Sequence, residues 1–215
     1  MHIQHSTFTL SGLVLHRVDF DPASVTDDDL RWLAHRAKLE RAVTKRKAEH
    51  LAGRLAAFYA LRERGIEHIP DIGDRRQPLW PEGWHGSISH CAGSALAVVA
   101  KTPVGLDIEE IIDPQQAEEI APGIINTDER KVLEASGLSF PLALTLAFSA
   151  KESLYKALSL RIAHIPDFQA GEVTDCGSDT LTLRLTAGFD PQLAGKRCRL
   201  CWRQRSGQII TLYSG

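Results

Sequence analysis

This 215-residue chain has no long hydrophobic run. Its most apolar stretches, residues 95–100 and 142–148, fall far short of the roughly 20 residues a membrane-spanning helix needs. No charged segment leading into a long apolar stretch opens the sequence, so a secretory signal is not expected. Charge of one sign is lacking too. The 25 Lys+Arg against 27 Asp+Glu leave a net charge of −2, which gives no global pull toward nucleic acid or an anionic membrane. Cysteine is scarce: Cys91, Cys176, Cys198 and Cys201 are all there are. Cys198 and Cys201 make a single CxxC inside RCRLCWRQ, which reads as a strand. Residues three apart on a strand point to opposite faces. With no second CxxC and no well-spaced histidine pair, neither a zinc site nor a disulfide is expected. Few cysteines without a framework fit a reducing compartment, so a cytoplasmic protein is expected. Tandem repeats and low-complexity tracts are absent.

What remains is a globular composition, 43% apolar and 24% charged, long enough for one large domain or two small ones. Residues 1–25 read as strand material, apolar-rich at 9–15 and broken by Asp19-Phe20-Asp21-Pro22. Residues 27–39 read as a helix with acids in its first turn. Over residues 45–62, Leu51, Leu55, Phe58 and Leu61 recur at helical spacing. A Pro/Gly-rich connection spans residues 66–86, and residues 86–91 and 95–100 read as paired strands. Residues 111–125 read as a mixed loop, after which Asn126 or Thr127 caps a helix over 128–135. Residues 141–158 read as a long helix with an apolar stripe of Leu142, Leu146, Ala150, Leu154 and Ala157. Four strands follow, at 171–175, 180–186, 196–203 and 208–212. Each half runs through helix and strand. The expectation is an α+β fold of two pseudo-duplicated lobes, 1–103 and 104–215, each with helices packed on a small antiparallel sheet.

Four features bear on chemistry. In Val104-Gly105-Leu106-Asp107-Ile108-Glu109, strand alternation sends Leu106 and Ile108 to a core and Asp107 and Glu109 to the other face. Two such carboxylates repel unless a cation joins them, and a hard divalent ion is the usual partner. The bland alternative is an edge strand with solvated acids. Arg46 and Arg54, eight residues apart, lie within about 80° of each other around a helix axis. Cations at a helix start oppose the dipole, a cost that a bound anion relieves; a solvated basic face is the alternative. Arg75 and Arg76 precede a proline turn, and His90 ends a strand, where sites gather. Glu152 and Lys156 share a helix face. They read as a surface ion pair, or Ser149–Glu152 as a capping box that opens a new helix, or both belong to a site.

Taken together, GSISHC, VGLDIEE and FSAKESLYKA resemble the phosphopantetheinyl transferases of the two-lobed, surfactin-synthetase-activating type. KRKAEHLAGRLAA and RRQPLWP resemble the branch that serves enterobactin-like siderophore synthesis. The resemblance runs from about Asp19 to Lys156 and is weak in the C-terminal strands. It implies transfer of the 4′-phosphopantetheine arm of coenzyme A to a serine of an apo carrier protein, with release of adenosine 3′,5′-bisphosphate. It implies that Asp107, Glu109 and Glu152 hold Mg²⁺, joined by the Ile108 carbonyl, and that Glu152 and Lys156 are catalytic. It assigns Arg46, Arg54, Arg75, Arg76, Ser89 and His90 to the nucleotide end of coenzyme A, in the first lobe. It further implies that Lys151 and Lys156 face the pyrophosphate and that Asp107 also belongs to the coenzyme site, in the second lobe.

The implied partners are carrier proteins or carrier domains of siderophore peptide synthetases, met by a monomer that binds no nucleic acid. Any membrane association is peripheral, through a synthase complex. The loop 111–123 is acidic, so docking of an acidic carrier is expected to rest on Ile111, Ile112, Ile124 and Ile125. Two rival readings stay open. One is a non-catalytic module that binds coenzyme A or a carrier. The other is a Mg²⁺-dependent hydrolase of nucleotide pyrophosphates.

Overall fold

The strand material expected over residues 1–25 forms a hairpin, β1 (Ile3–Leu10) and β2 (Leu13–Phe20), turning at Ser11-Gly12. The structure, a computed structural model, describes residues 1–162 and 164–215. No α-helix forms over residues 27–39. Two short 3-10 turns stand there instead, Asp28–Leu30 and Arg36–Leu39, after a third at Pro22–Ser24. The acids that would favour a helix start are taken elsewhere. Asp29 binds the Thr26 N–H and hydroxyl and the N-terminal ammonium, and Asp27 pairs with Lys47. Leu30, Leu33 and Leu39 still reach a core, packing with Leu51.

The chain divides into two units, residues 1–103 and 104–215. In the first, α1 (Thr44–Arg62) lies across the sheet β1-β2-β6-β5, in which β5 is His85–Cys91 and β6 is Ser94–Ala100. A two-stranded pair, β3 (Asp71–Ile72) and β4 (Pro78–Leu79), sits in the connection. The buried face of α1 is narrower in side chain than its sequence predicts. Ala48, Ala52 and Ala56 recur every four residues and are fully buried, whereas Phe58 is half-buried. Small residues let a helix approach a sheet closely. Gly53 does the same locally, since a Cβ there would lie 2.8 Å from the Ile88 side chain on β5.

The second unit carries β7 (Val104–Glu110), α2 (Pro114–Ile124), α3 (Thr127–Ala135) and α4 (Phe140–Leu158). The strands β8 (Gly171–Cys176), β9 (Thr180–Leu185), β10 (Arg197–Arg205) and β11 (Gln208–Ser214) follow. The antiparallel sheet runs β7-β11-β10-β9-β8. The segment read as a loop over 111–125 holds α2, started by Asp113 accepting from the Gln115 N–H and by Pro114 in the first turn. Ile124 and Ile125 are buried in the core of this unit, which removes them as docking side chains, whereas Ile111 and Ile112 are half-buried against it. The apolar side chain that α2 exposes is Ile120. None of the four cysteines is in a disulfide, and Cys198 and Cys201 occupy opposite faces of β10.

Candidate active site

Both faces of β7 are covered until its last two residues, and Asp107 is only 2% exposed. The sequence reading put the two acids outside the core. Here α4 packs against β7. Gly105 permits that approach, because a Cβ would collide with the Ser153 carbonyl oxygen of α4. Asp107, Glu109 and Gly105 share one face of the strand by alternation, so the acids lie on the helix side. From α4 come Glu152 and Lys156, one turn apart. Ser149 to Glu152 lies in the middle of this 19-residue helix, so it opens no new helix, and the capping-box reading is withdrawn.

The Lys156 ammonium donates to Asp107 Oδ1 at 2.6 Å. Burial, with repulsion from Asp107, Glu152 and Glu110, lifts Glu109 to a pKa of about 7 against the pull of Lys156. Glu152 is raised by burial and by Asp107, and is again opposed by Lys156. Three carboxylates, two of them with raised proton affinity, are thus gathered around one ammonium. Among the described residues, no three His, Cys, Asp or Glu side chains form a ready metal cage. The donor set still suits a hard divalent cation, which takes oxygen ligands and relieves such repulsion. Ile108 lies between the two acids on the edge strand of the sheet.

The first unit holds a cavity of about 500 Å³, lined by Arg46, His50, Arg54, Arg76, His90 and neighbouring residues. Arg46 and Arg54 face it from α1, as their spacing predicts, and His50 stands midway between them. That position, four residues from each arginine, was a signal the sequence reading passed over. Arg46 Nη1 donates to His90 Nε2 at 3.0 Å, and Glu49 lies 3.8 Å from Arg46. Arg54 is 5% exposed. It donates to the Asp71 carbonyl at 3.3 Å, while its Nε is buried with no hydrogen-bond partner among the described residues. Its pKa falls to about 10, chiefly through burial. A buried, incompletely bonded guanidinium is costly, and an anion in the cavity lowers that cost. Beneath it His50 Nε2 meets His35 Nε2 at 2.7 Å, and His35 Nδ1 meets Asp71 Oδ1 at 2.8 Å. Burial first, then Arg54, drops His50 to about 3, so it stays neutral at pH 7.

Other expected residues fall elsewhere. Arg75 and Ser89 do not line this cavity; Ile88 and His90 do, and alternation along β5 turns Ser89 to the other face. Lys151 is buried. It donates to the Ile124 and Phe168 carbonyls at 2.6 and 2.8 Å and pairs with Glu129 at 2.7 Å. An ammonium has three N–H donors, and these contacts use all of them. The structure therefore does not bring Lys151 to Asp107, Glu109 and Glu152.

A profile of the 4′-phosphopantetheinyl transferase N-terminal domain matches residues 34–100, and one of the 4′-phosphopantetheinyl transferase superfamily matches residues 103–208. Enterobactin synthase component D of Salmonella typhi is 51% identical over 214 residues, covering 100% of this chain and 91% of that protein. The Escherichia coli protein of the same name is 53% identical over 161 residues, or 75% of this chain and 78% of that one. The 4′-phosphopantetheinyl transferase Svp of Streptomyces mobaraensis is 32% identical over 186 residues, 81% of this chain and 74% of its own. Matches of this extent and identity leave one reading of descent: this chain belongs to the 4′-phosphopantetheinyl transferase superfamily.

Proposed function

We propose that the chain moves the 4′-phosphopantetheine arm of coenzyme A onto a serine of an apo carrier protein. The serine oxygen bonds to the phosphorus that bears pantetheine, the pyrophosphate bond breaks, and adenosine 3′,5′-bisphosphate leaves. The observation that carries the reading is the convergence of Asp107, Glu109 and Glu152 around Lys156, in a chain of this family. Glu152 takes the serine proton. Its burial raises its basicity, which suits that task. Lys156 is a point charge suited to a pyrophosphate oxygen. Asp107, Glu109, Glu152 and the Ile108 carbonyl are the residues that would hold Mg²⁺, which supplies charge neutralisation at the pyrophosphate.

Arg46, Arg54 and His90, with Arg76 nearby, form a cationic cavity of the kind that takes a phosphomonoester such as the 3′-phosphate of coenzyme A. An apolar cleft of about 140 Å³ beside Glu152, lined by Tyr155, Ile165, Phe168 and Phe189, suits the uncharged pantetheine arm. Relatives named enterobactin synthase component D favour carrier domains of siderophore synthesis as acceptors. Four cysteines outside any disulfide suit the reducing cytoplasm.

Incubation with coenzyme A, Mg²⁺ and an apo carrier protein tests the reading, with the mass of each product as readout. The carrier is expected to gain one phosphopantetheine. Free phosphopantetheine without transfer would make the chain a hydrolase, and binding without turnover would make it a non-catalytic module. The convergence of Asp107, Glu109 and Glu152 on one ammonium is not needed by such a module, which favours the transferase.

A further inference from the structure

Between α4 and the sheet lies a cluster of hydroxyls in a setting otherwise filled by leucine and alanine. Ser149, Ser153 and Thr211 are each 0% exposed. Thr211 sits on β11 directly opposite Asp107 of β7. Cross-strand partners project from the same face, so the Thr211 hydroxyl rises beside the Asp107 carboxylate toward α4. There Thr211 Oγ1 lies 2.9 Å from Ser149 Oγ, 2.7 Å from Ser153 Oγ and 2.9 Å from the Ser149 carbonyl. Ser153 Oγ also reaches the Thr211 carbonyl at 3.1 Å. One proton assignment uses every group. Thr211 donates to the Ser149 carbonyl, Ser149 donates to Thr211 Oγ1, and Ser153 shares its proton between Thr211 Oγ1 and the Thr211 carbonyl.

We infer that Thr211 is a positioning residue, the centre of a hydroxyl clamp that sets the rotation of α4 over β7 and so aims Glu152 at Asp107 and Glu109. Apolar contacts between a helix and a sheet are non-directional and tolerate small rotations. Hydrogen bonds at 2.7–3.1 Å to two serines one turn apart do not. Glu152 projects about 60° around the axis from Ser149 and about 100° from Ser153. A helix roll of a few tens of degrees would therefore swing its carboxylate away from the strand. Gly105 sets the helix-to-strand distance and Thr211 the angle.

The inference rests on the proposal that the three carboxylates share a divalent ion, and the test separates the two. Mn²⁺ binding to the full chain is measured by electron paramagnetic resonance, alongside the thermal midpoint in chelator. Thr211→Val keeps the shape and removes the hydroxyl; Thr211→Ser keeps the hydroxyl. Thr211→Val is expected to weaken Mn²⁺ about tenfold and to lower kcat with an unchanged KM for the carrier. Thr211→Ser should restore both. If wild type takes up no Mn²⁺, the metal reading fails and the clamp goes with it. If wild type binds and Thr211→Val binds equally well, the clamp alone is overturned, whatever the midpoint does. Equal impairment of Thr211→Val and Thr211→Ser would also overturn it, by pointing to packing. Should Thr211→Val not fold, Ser149→Ala and Ser153→Ala each remove one arm. Weakened Mn²⁺ binding in both supports the clamp, and unchanged binding in both overturns it.

Discussion

At the scale of single residues, the two candidate sites make opposite demands on charge. Glu152 is a half-buried acid whose proton affinity is raised, and Arg54 is a buried base whose charge lacks full hydrogen bonding. Glu152→Gln preserves size and helix propensity but removes charge and basicity. It should fold like wild type and lose at least about 10² in transfer rate, read from the mass of the carrier protein after a timed incubation. Near-normal conversion would return Glu152 to a plain helix position. For Arg54, the comparison that cancels any loss of stability is coenzyme A against its 3′-dephospho form on the same variant. Wild type should prefer coenzyme A, and Arg54→Ala should lose about 1.5–3 kcal/mol of that preference by calorimetry. A variant that keeps the full preference would leave Arg54 to structure alone.

At the scale of elements, Lys151 and Glu129 tie three pieces together. Glu129 accepts from the Asn126 N–H in the capping box of α3 and from the Val173 N–H of β8, and it pairs with Lys151 of α4. Lys151→Met would leave a buried carboxylate unpaired and should cost about 3–5 kcal/mol in urea unfolding. Lys151→Met with Glu129→Gln should recover part of that loss. The folded fraction of the single variant should keep its transfer rate well below its melting temperature. A specific loss of rate there would place Lys151 at the pyrophosphate after all. The sequence reading found α1 and α4 because helical period and length agreed, and β7 because its apolar residues alternate with its acids. It read α2 as a loop because Pro114, Pro122 and Gly123 looked like breakers, although Asp113-Pro114 is a helix start. It made a helix of residues 27–39 because nothing local shows that Asp27 and Asp29 are drawn to Lys47 and Met1. Asp107, Glu109, Glu152 and Lys156 were legible as a pattern. The burial of Asp107 was not, because it depends on Gly105 admitting a helix that comes 35 residues later in the chain (Phe140, from 140 − 105).

At the scale of the whole molecule, the near balance of 25 basic and 27 acidic residues means that mild acid brings little global repulsion. Its effect should instead be local. The histidines whose pKa burial lowers, His5, His16, His35 and His50, all lie in residues 1–103. For His50 the sign is clear. Its folded pKa is about 3 against 6.5 when exposed. Above pH 6.5 it is neutral in both states and contributes no pH dependence. Below that, the unfolded chain binds the proton first, so stability is lost as pH falls, and the loss ends only near pH 3. The limiting slope is about 1.4 kcal/mol per pH unit. Partial exposure and the hydrogen bond to His35 reduce it, so a loss of about 1–2 kcal/mol between pH 7 and pH 5 is expected from this residue. Hydrogen exchange should show amides of α1, β2 and β6 losing protection before those of α4 and β11 over that range. His50→Gln keeps a polar group near His35 but does not titrate. It should lose about 1–2 kcal/mol less than wild type between pH 7 and pH 5 in urea unfolding of residues 1–103. Parallel losses in the two proteins would show that His50 is already solvated and that the acid response of this unit arises from another group.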